Sequence, residues 1–167
     1  IVKIGIIEGE MTTGQKDWEC QSVDVLVVED DPCDSDLSNH AMVERKFAPA
    51  MHLVRDGLEA LDFLYARGEY QRRNPVLLPR LILMDVHLPK LSGPEVLKAI
   101  RADERFRSVP IVMFSGSSME SDIRQCYDLG AQAFVTKPVD FREYSEKLGT
   151  IANFWLRVVE PRPLEAA

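Results

Sequence analysis

Five short apolar runs, each closed by a polar or charged residue, constrain this chain more than any other feature. They are Val23–Val28, Met51–Val54, Leu81–Asp85, Pro110–Ser115 and Ala133–Thr136. Each is too short for a stable helix and rich in branched aliphatic residues, the pattern of a strand buried on both faces. Between them lie segments with helical periodicity and their own start signals. Pro32 with Asp34 and Ser35 opens the first, which runs through Leu37, Ala41 and Glu44 to Phe47. Gly57–Tyr65 is the second, and Ser92-Gly-Pro-Glu95 is a capping box opening the third, which reaches Ile100. The fourth spans Asp122–Leu129 with Gly130 as its stop, and Asp140-Phe-Arg-Glu143 is a second capping box opening a long last helix. Strictly alternating strands and helices predict an α/β fold, a doubly wound five-stranded parallel sheet covered on both faces.

Composition bounds what such a fold can do. The chain has 167 residues, 46% of them hydrophobic and 28% charged, which is room for one domain of ordinary globular make-up. A formal charge of −7 argues against a nucleic-acid or anionic-membrane surface, because an acidic domain gains nothing by releasing counterions there. No apolar stretch is long enough to span a bilayer, and the opening Ile1–Glu10 lacks the apolar core and cleavage site of a signal peptide. Cys20, Cys33 and Cys126 are odd in number and far apart, so we expect neither disulfides nor a zinc site, and a reducing cytoplasmic setting. The expected layout is an arm over residues 1–22, a domain over 23–159 and a tail over 160–167, with Met11 as the natural start and residues 1–10 foreign to it.

In an open parallel sheet, chemistry sits at the carboxyl ends of the strands. There the first strand is followed by Glu29, Asp30 and Asp31, the third by Asp85, the fourth by Ser115 and the fifth by Lys137 and Pro138. Singly, an acid at a strand end is a helix cap or a solvated turn, and a lone Ser or Lys signifies little. Together on one edge they suit phosphoryl transfer to a carboxylate. Clustered acids attract Mg²⁺, lysine offers a point charge to the transferred oxygens, and a hydroxyl hydrogen-bonds one of them. A carboxylate oxygen is then the nucleophile.

The runs VVEDDP (27–32), LILMDVHLPKLSG (81–93), PIVMFSGS (110–117) and AFVTKPV (133–139) resemble the receiver domain of two-component response regulators, over about residues 23 to 147. The resemblance implies a (βα)₅ flavodoxin-like fold with Asp85 as phosphoacceptor. It implies Mg²⁺ held by Asp30 and Asp85, with Glu29 acting through water and His87 giving its backbone carbonyl. Ser115 becomes the switch hydroxyl, Lys137 the phosphate-binding lysine, Pro138 a cis-proline candidate and Phe134 the aromatic rotamer switch. His87 and Ser117, each two residues past a site residue, line the approach of the hydrolytic water. A His side chain itself is a poor match for Mg²⁺.

The last helix carries more apolar surface than one core-facing stripe requires. Phe141, Tyr144, Leu148, Ile151, Ala152, Trp155 and Val159 recur at helical spacing, with Phe154, Leu156 and Val158 to either side, and Pro161 and Pro163 end the helix beyond Glu160. The surplus reads as a partner surface, a homodimer across helix four, strand five and helix five. With no segment large enough for an output domain outside 23–159, output is expected through protein contact. KPVDFREYSEKLGTIANFWL (137–156) and the long loop ARGEYQRRNP are similar to the single-domain regulators of bacterial and cyanobacterial phytochromes. That similarity implies a phytochrome histidine kinase as partner and places Phe154, Trp155 and Leu156 in a dimer interface. Two alternatives stand beside it. A haloacid-dehalogenase-type phosphatase also uses an aspartyl nucleophile, but wants a second Asp where His87 stands. A receiver-like module that is never phosphorylated would lack an acid or the lysine, and none is missing.

Overall fold

The structure, a computed structural model, describes residues 22–44 and 50–160. The proposed start at Met11, Cys20, Phe47 of the first helix and the tail beyond Glu160 lie outside the described residues. The strands are β1 (Val25–Val28), β2 (Met51–Val54), β3 (Leu81–Met84), β4 (Ile111–Ser115) and β5 (Ala133–Thr136). The helices are α1 (Pro32–Glu44), α2 (Gly57–Leu64), α3 (Gly93–Arg101), α4 (Glu120–Asp128) and α5 (Phe141–Asn153). All strand pairs are parallel, in the order β2-β1-β3-β4-β5, so the expected doubly wound sheet is present.

Alternation along the strands sorts the core into two layers. Leu26, Val28, Ile82, Met84, Ile111 and Met113 pack with Phe63, Leu64, Val96, Leu97 and Ile100, on the face covered by α2, α3 and α4. Val25, Val27, Leu81, Leu83, Val112 and Phe114 meet Ala41, Tyr144, Leu148, Ile151 and Ala152, on the face covered by α1 and α5. The three central strands are thus dry on both sides, while the outer β2 and β5 are partly exposed. No helix among the described residues is long and apolar enough to cross a membrane. Cys33 is exposed and Cys126 buried, both free. Burial pushes the Cys126 thiol up to about 11, with the Asp122 charge adding to it.

The start signals act as expected. At α3, the Glu95 carboxylate accepts from the Ser92 backbone N–H at 2.8 Å and from its hydroxyl at 2.7 Å. At α5, Asp140 accepts from the Glu143 N–H at 3.0 Å. Helix α4 begins at Glu120, two residues before the expected start, which places Asp122 inside its first turn.

Asp56 caps α2, accepting from the Glu59 N–H at 2.8 Å, and its other oxygen lies 2.6 Å from the Lys90 ammonium. Burial alone would raise its pKa; the Lys90 contact and the backbone N–H outweigh it and hold the carboxyl below its usual value. A depressed carboxyl stabilises the fold above its unfolded pKa and loses that contribution as pH falls through the folded one. Asp56→Ala should therefore cost about 1–2 kcal/mol at pH 7. Urea denaturation of both proteins at pH 7 and pH 3 checks this: the gap must narrow at the lower pH.

The polar loop before β3 is pinned from inside by Arg73, which is buried. Its guanidinium donates to the carbonyls of Phe63 and Leu77 and lies 4.2 Å over the Phe63 ring. Desolvation lowers its pKa to about 10.

The last helix departs from the expected regular stripe. From Phe154 to Val158 it widens into a π turn, closed by the Val159 N–H donating to the Phe154 carbonyl at 2.9 Å. The wider turn carries the core-facing row from Ala152 to Leu156, which is buried in this chain's own core. Leu156 is therefore not part of an exposed interface, a correction to its expected place beside Phe154 and Trp155. Phe154 is 47% and Val158 61% exposed, and Trp155 is partly buried against the core. Arg80 ties the turn down, donating to the Leu156 carbonyl at 2.7 Å.

Candidate functional site

Strand order reverses direction between β1 and β3, so the crevice of this sheet opens where Glu29 and Asp85 leave their strands. Lys137, arriving from the adjacent end of β5, fills it. Its ammonium lies 2.5 Å from Glu29 Oε2, 2.6 Å from Asp85 Oδ2 and 2.8 Å from Asp34 Oδ2. The side chains of Lys137, Glu29 and Asp85 are 7%, 5% and 12% exposed, so these charges are largely removed from solvent. The second Asp85 oxygen, Oδ1, accepts from the Ser115 hydroxyl and the Val86 N–H, each at 2.5 Å. The acceptor carboxylate is thus held by an ammonium on one oxygen and by a hydroxyl and a backbone donor on the other.

Three carboxylates share one ammonium, and the most deeply buried of them yields. Desolvation raises the Glu29 pKa to about 7 against the opposing pull of Lys137, and the Asp85 charge adds to the rise. Burial would lower the Lys137 pKa, but its bonds to Asp34, Asp85 and Glu29 together raise it above the usual lysine range. The lysine stays charged while Glu29 sits at the threshold of protonation.

Of the residues read from the sequence, the structure brings together Glu29, Asp85, Ser115 and Lys137. Asp30 is exposed beside them, outside the lysine cluster. The His87 side chain is 71% exposed and faces Asp122 at 3.6 Å, while its backbone N–H donates to Asp85 Oδ1 at 3.3 Å. Phe134 is partly buried against the core layer of α2, α3 and α4. The Lys137–Pro138 bond is trans, correcting the expected cis-proline: the lysine reaches all three carboxylates from an ordinary backbone. Among the described residues, no three His, Cys, Asp or Glu side chains surround a common cation position. Glu29, Asp34 and Asp85 converge on the ammonium instead. The donor set is nonetheless all oxygen, which fits a hard divalent cation and not a soft one.

Two contributors carry little sequence signal. Asp34 has the pattern of a cap residue and lies in the first turn of α1, whose N-terminus faces the crevice; its offset from β1 is the signal that marks it. Gly93 packs so closely under the acceptor that a Cβ there would stand 2.2 Å from the Asp85 carbonyl oxygen.

Known proteins share this fold and part of this sequence. The model of the response regulator receiver domain matches residues 25–148. Response regulator Rcp1 of Synechocystis is 33% identical over 135 residues, covering 81% of this chain and 90% of that protein. The structure of its Mn²⁺-bound form aligns with a TM-score of 0.75 at 32% identity, over 83% of this chain and 98% of that one. The phosphorylated cyanobacterial phytochrome response regulator RcpA aligns with a TM-score of 0.78 at 32% identity, over 86% of this chain and all of the other. A probable methanogenesis regulatory protein, FilR2 of Methanothrix harundinacea, is 33% identical over 132 residues, covering 79% of this chain and 83% of that protein. With most of the chain matched in family, relatives and fold, it belongs to the response regulator receiver domain family.

Proposed function

We propose that this chain accepts a phosphoryl group on Asp85 from a histidine kinase and passes the signal on by protein contact. The observation that carries this is the arrangement around Asp85: a buried ammonium on one oxygen and the Ser115 hydroxyl on the other. A carboxylate so placed attacks phosphorus as the P–N bond to the kinase's phosphohistidine breaks and its imidazole leaves; Lys137 takes the transferred oxygens and Ser115 bonds one of them. Glu29, Asp30 and Asp85, with the His87 carbonyl, would hold Mg²⁺, which when bound offsets the charge of the phosphoryl group. Relatedness to the Mn²⁺-bound Rcp1 supports an ion of this class. Phe134 would move into the space that Ser115 leaves, remodelling the face of α4, β5 and α5. The chain is a phosphoacceptor and not a turnover enzyme; sustained hydrolysis of small phosphoesters would contradict this.

The partner we favour is a phytochrome-type kinase, on the strength of the likeness to RcpA and the tail motif. The acting unit is residues 23–159 in the cytoplasm, and exposed Phe154, joined by Trp155, supplies its dimer contact. Phosphotransfer from a panel of histidine kinases that includes a phytochrome tests the pairing. Wild type should gain one phosphoryl mass with Mg²⁺ and acetyl phosphate, and Asp85→Asn none. Equal labelling of the two would remove Asp85 from its role.

A further inference from the structure

We propose that Asp122 is a positioning residue for the acceptor site, holding Ser117 and so opposing the shift Ser115 makes when Asp85 carries a phosphoryl group. This rests on the receiver function proposed above. The Ser115 hydroxyl that donates to Asp85 also accepts from the Ser117 N–H at 3.3 Å. The Ser117 hydroxyl in turn donates to Asp122 Oδ2 at 2.6 Å and accepts from the Met119 N–H at 3.3 Å. A continuous chain of hydrogen bonds therefore runs from the acceptor carboxylate to the first turn of α4. The same Asp122 oxygen faces His87 Nε2 at 3.6 Å, so one carboxylate stands between the loops that follow β3 and β4.

The packing of α4 gives this contact its weight. Helix α4 buries one residue, Cys126, whereas α3 and α5 each bury five. A cleft of about 390 Å³ lies between α3 and α4, lined by His87, Lys98, Asp122 and Gln125 among others. With little apolar area to hold it, the start of α4 depends on polar contacts, and Asp122 is 18% exposed and bonded at the heart of them. A phosphoryl group on Asp85 adds bulk where Ser115 now donates. Ser115 must shift to bond a phosphoryl oxygen instead, Ser117 shifts with it through its N–H, and the bond to Asp122 is stretched or broken. A contact present in one state and lost in the other biases the equilibrium between them. By reciprocity, removing it must tighten binding of whatever drives the change.

Beryllium fluoride with Mg²⁺, titrated calorimetrically into the full chain, is the probe. Ser117→Ala and Asp122→Ala should each bind it about three- to tenfold more tightly than wild type, the span of one net hydrogen bond. The double variant should be no tighter than either single one, since both break the same bond. Asp122→Asn keeps an oxygen that accepts from Ser117 and should stay within about twofold of wild type, a rescue that general loosening of α4 would not give. Affinities equal to or weaker than wild type in the single variants, or additive gains in the double, overturn the proposal. If Asp122→Ala does not fold, Ser117→Ala and Asp122→Asn decide by the same outcomes. A wild type that binds no beryllium fluoride brings down the receiver reading itself. A response lost only in Asp85→Asn, with the latch variants unchanged, brings down this proposal alone.

Discussion

Replacing Lys137 with methionine should cost the fold about 3–5 kcal/mol at pH 8.5, the penalty for leaving a buried charge without its partner. The loss should be clearly smaller at pH 5.5. In wild type the Glu29 pKa stands near 7, well above the ordinary carboxyl value, because burial outweighs the lysine. A carboxyl raised in this way stabilises the folded state below its unfolded pKa, and that contribution disappears as pH rises through the folded one. Removing Lys137 deletes the two largest influences that lower Glu29 and leaves only the Asp31 N–H, so its pKa climbs further. At pH 5.5 Glu29 then carries a proton and little is left unpaired, although Asp34 and Asp85 still lose their shared cation. At pH 8.5 the folded variant must either bury the charged acid alone or hold a proton that the unfolded chain has released, and both cost stability. Urea denaturation at the two pH values measures the difference, and an equal loss at both would show that Glu29 is not the group that suffers.

Gly93→Ala should cost about 3 kcal/mol and sharply weaken phosphoryl acceptance. An added Cβ would stand 2.2 Å from the Asp85 carbonyl oxygen and 3.0 Å from both Met113 Cε and Val86 Cα. The methionine end can turn aside, but the two backbone groups cannot without moving the acceptor itself. Gly93 is further committed by its own N–H, which donates to the Val86 carbonyl at 2.9 Å. Gly116→Ala is the matched control. Although it follows the switch serine directly, a Cβ there meets nothing within 4 Å, so stability should change by no more than about 0.5 kcal/mol. Denaturation midpoints and acetyl phosphate labelling of both variants check the pair. If Gly93→Ala labels like wild type, the backbone under Asp85 tolerates displacement and the site is less rigid than its packing implies.

These effects come from features of different visibility. The strands were legible because a strand buried on both faces has to be an unbroken apolar run, and the residue that ends each run has to lie at one edge of a parallel sheet. Glu29, Asp85, Ser115 and Lys137 are therefore grouped by the sequence pattern alone. Asp34 and Asp122 are not. Both sit in first helical turns, where an acid is usual for capping, and the same side chain serves a cap or a distant cation with no difference in local pattern. The start of α4 lies two residues before its expected position for the same reason, since Glu120 and Asp122 are equally suitable first-turn acids.

The sequence by itself determined the fold class, the two-layered core and the edge on which the chemistry lies, because hydrophobic periodicity acts over a few residues and is written along the chain. Tertiary structure alone decided three things. It gathered Glu29, Asp34 and Asp85 on one ammonium, it kept the peptide bond before Pro138 trans, and it turned Leu156 inward through a π turn. The gathering of these charges depends on side chains that meet across 52 to 108 residues of sequence, as Lys137 does with Asp85, Asp34 and Glu29. Charge pairing and burial at that range depend on the geometry of the assembled sheet, which no local pattern records.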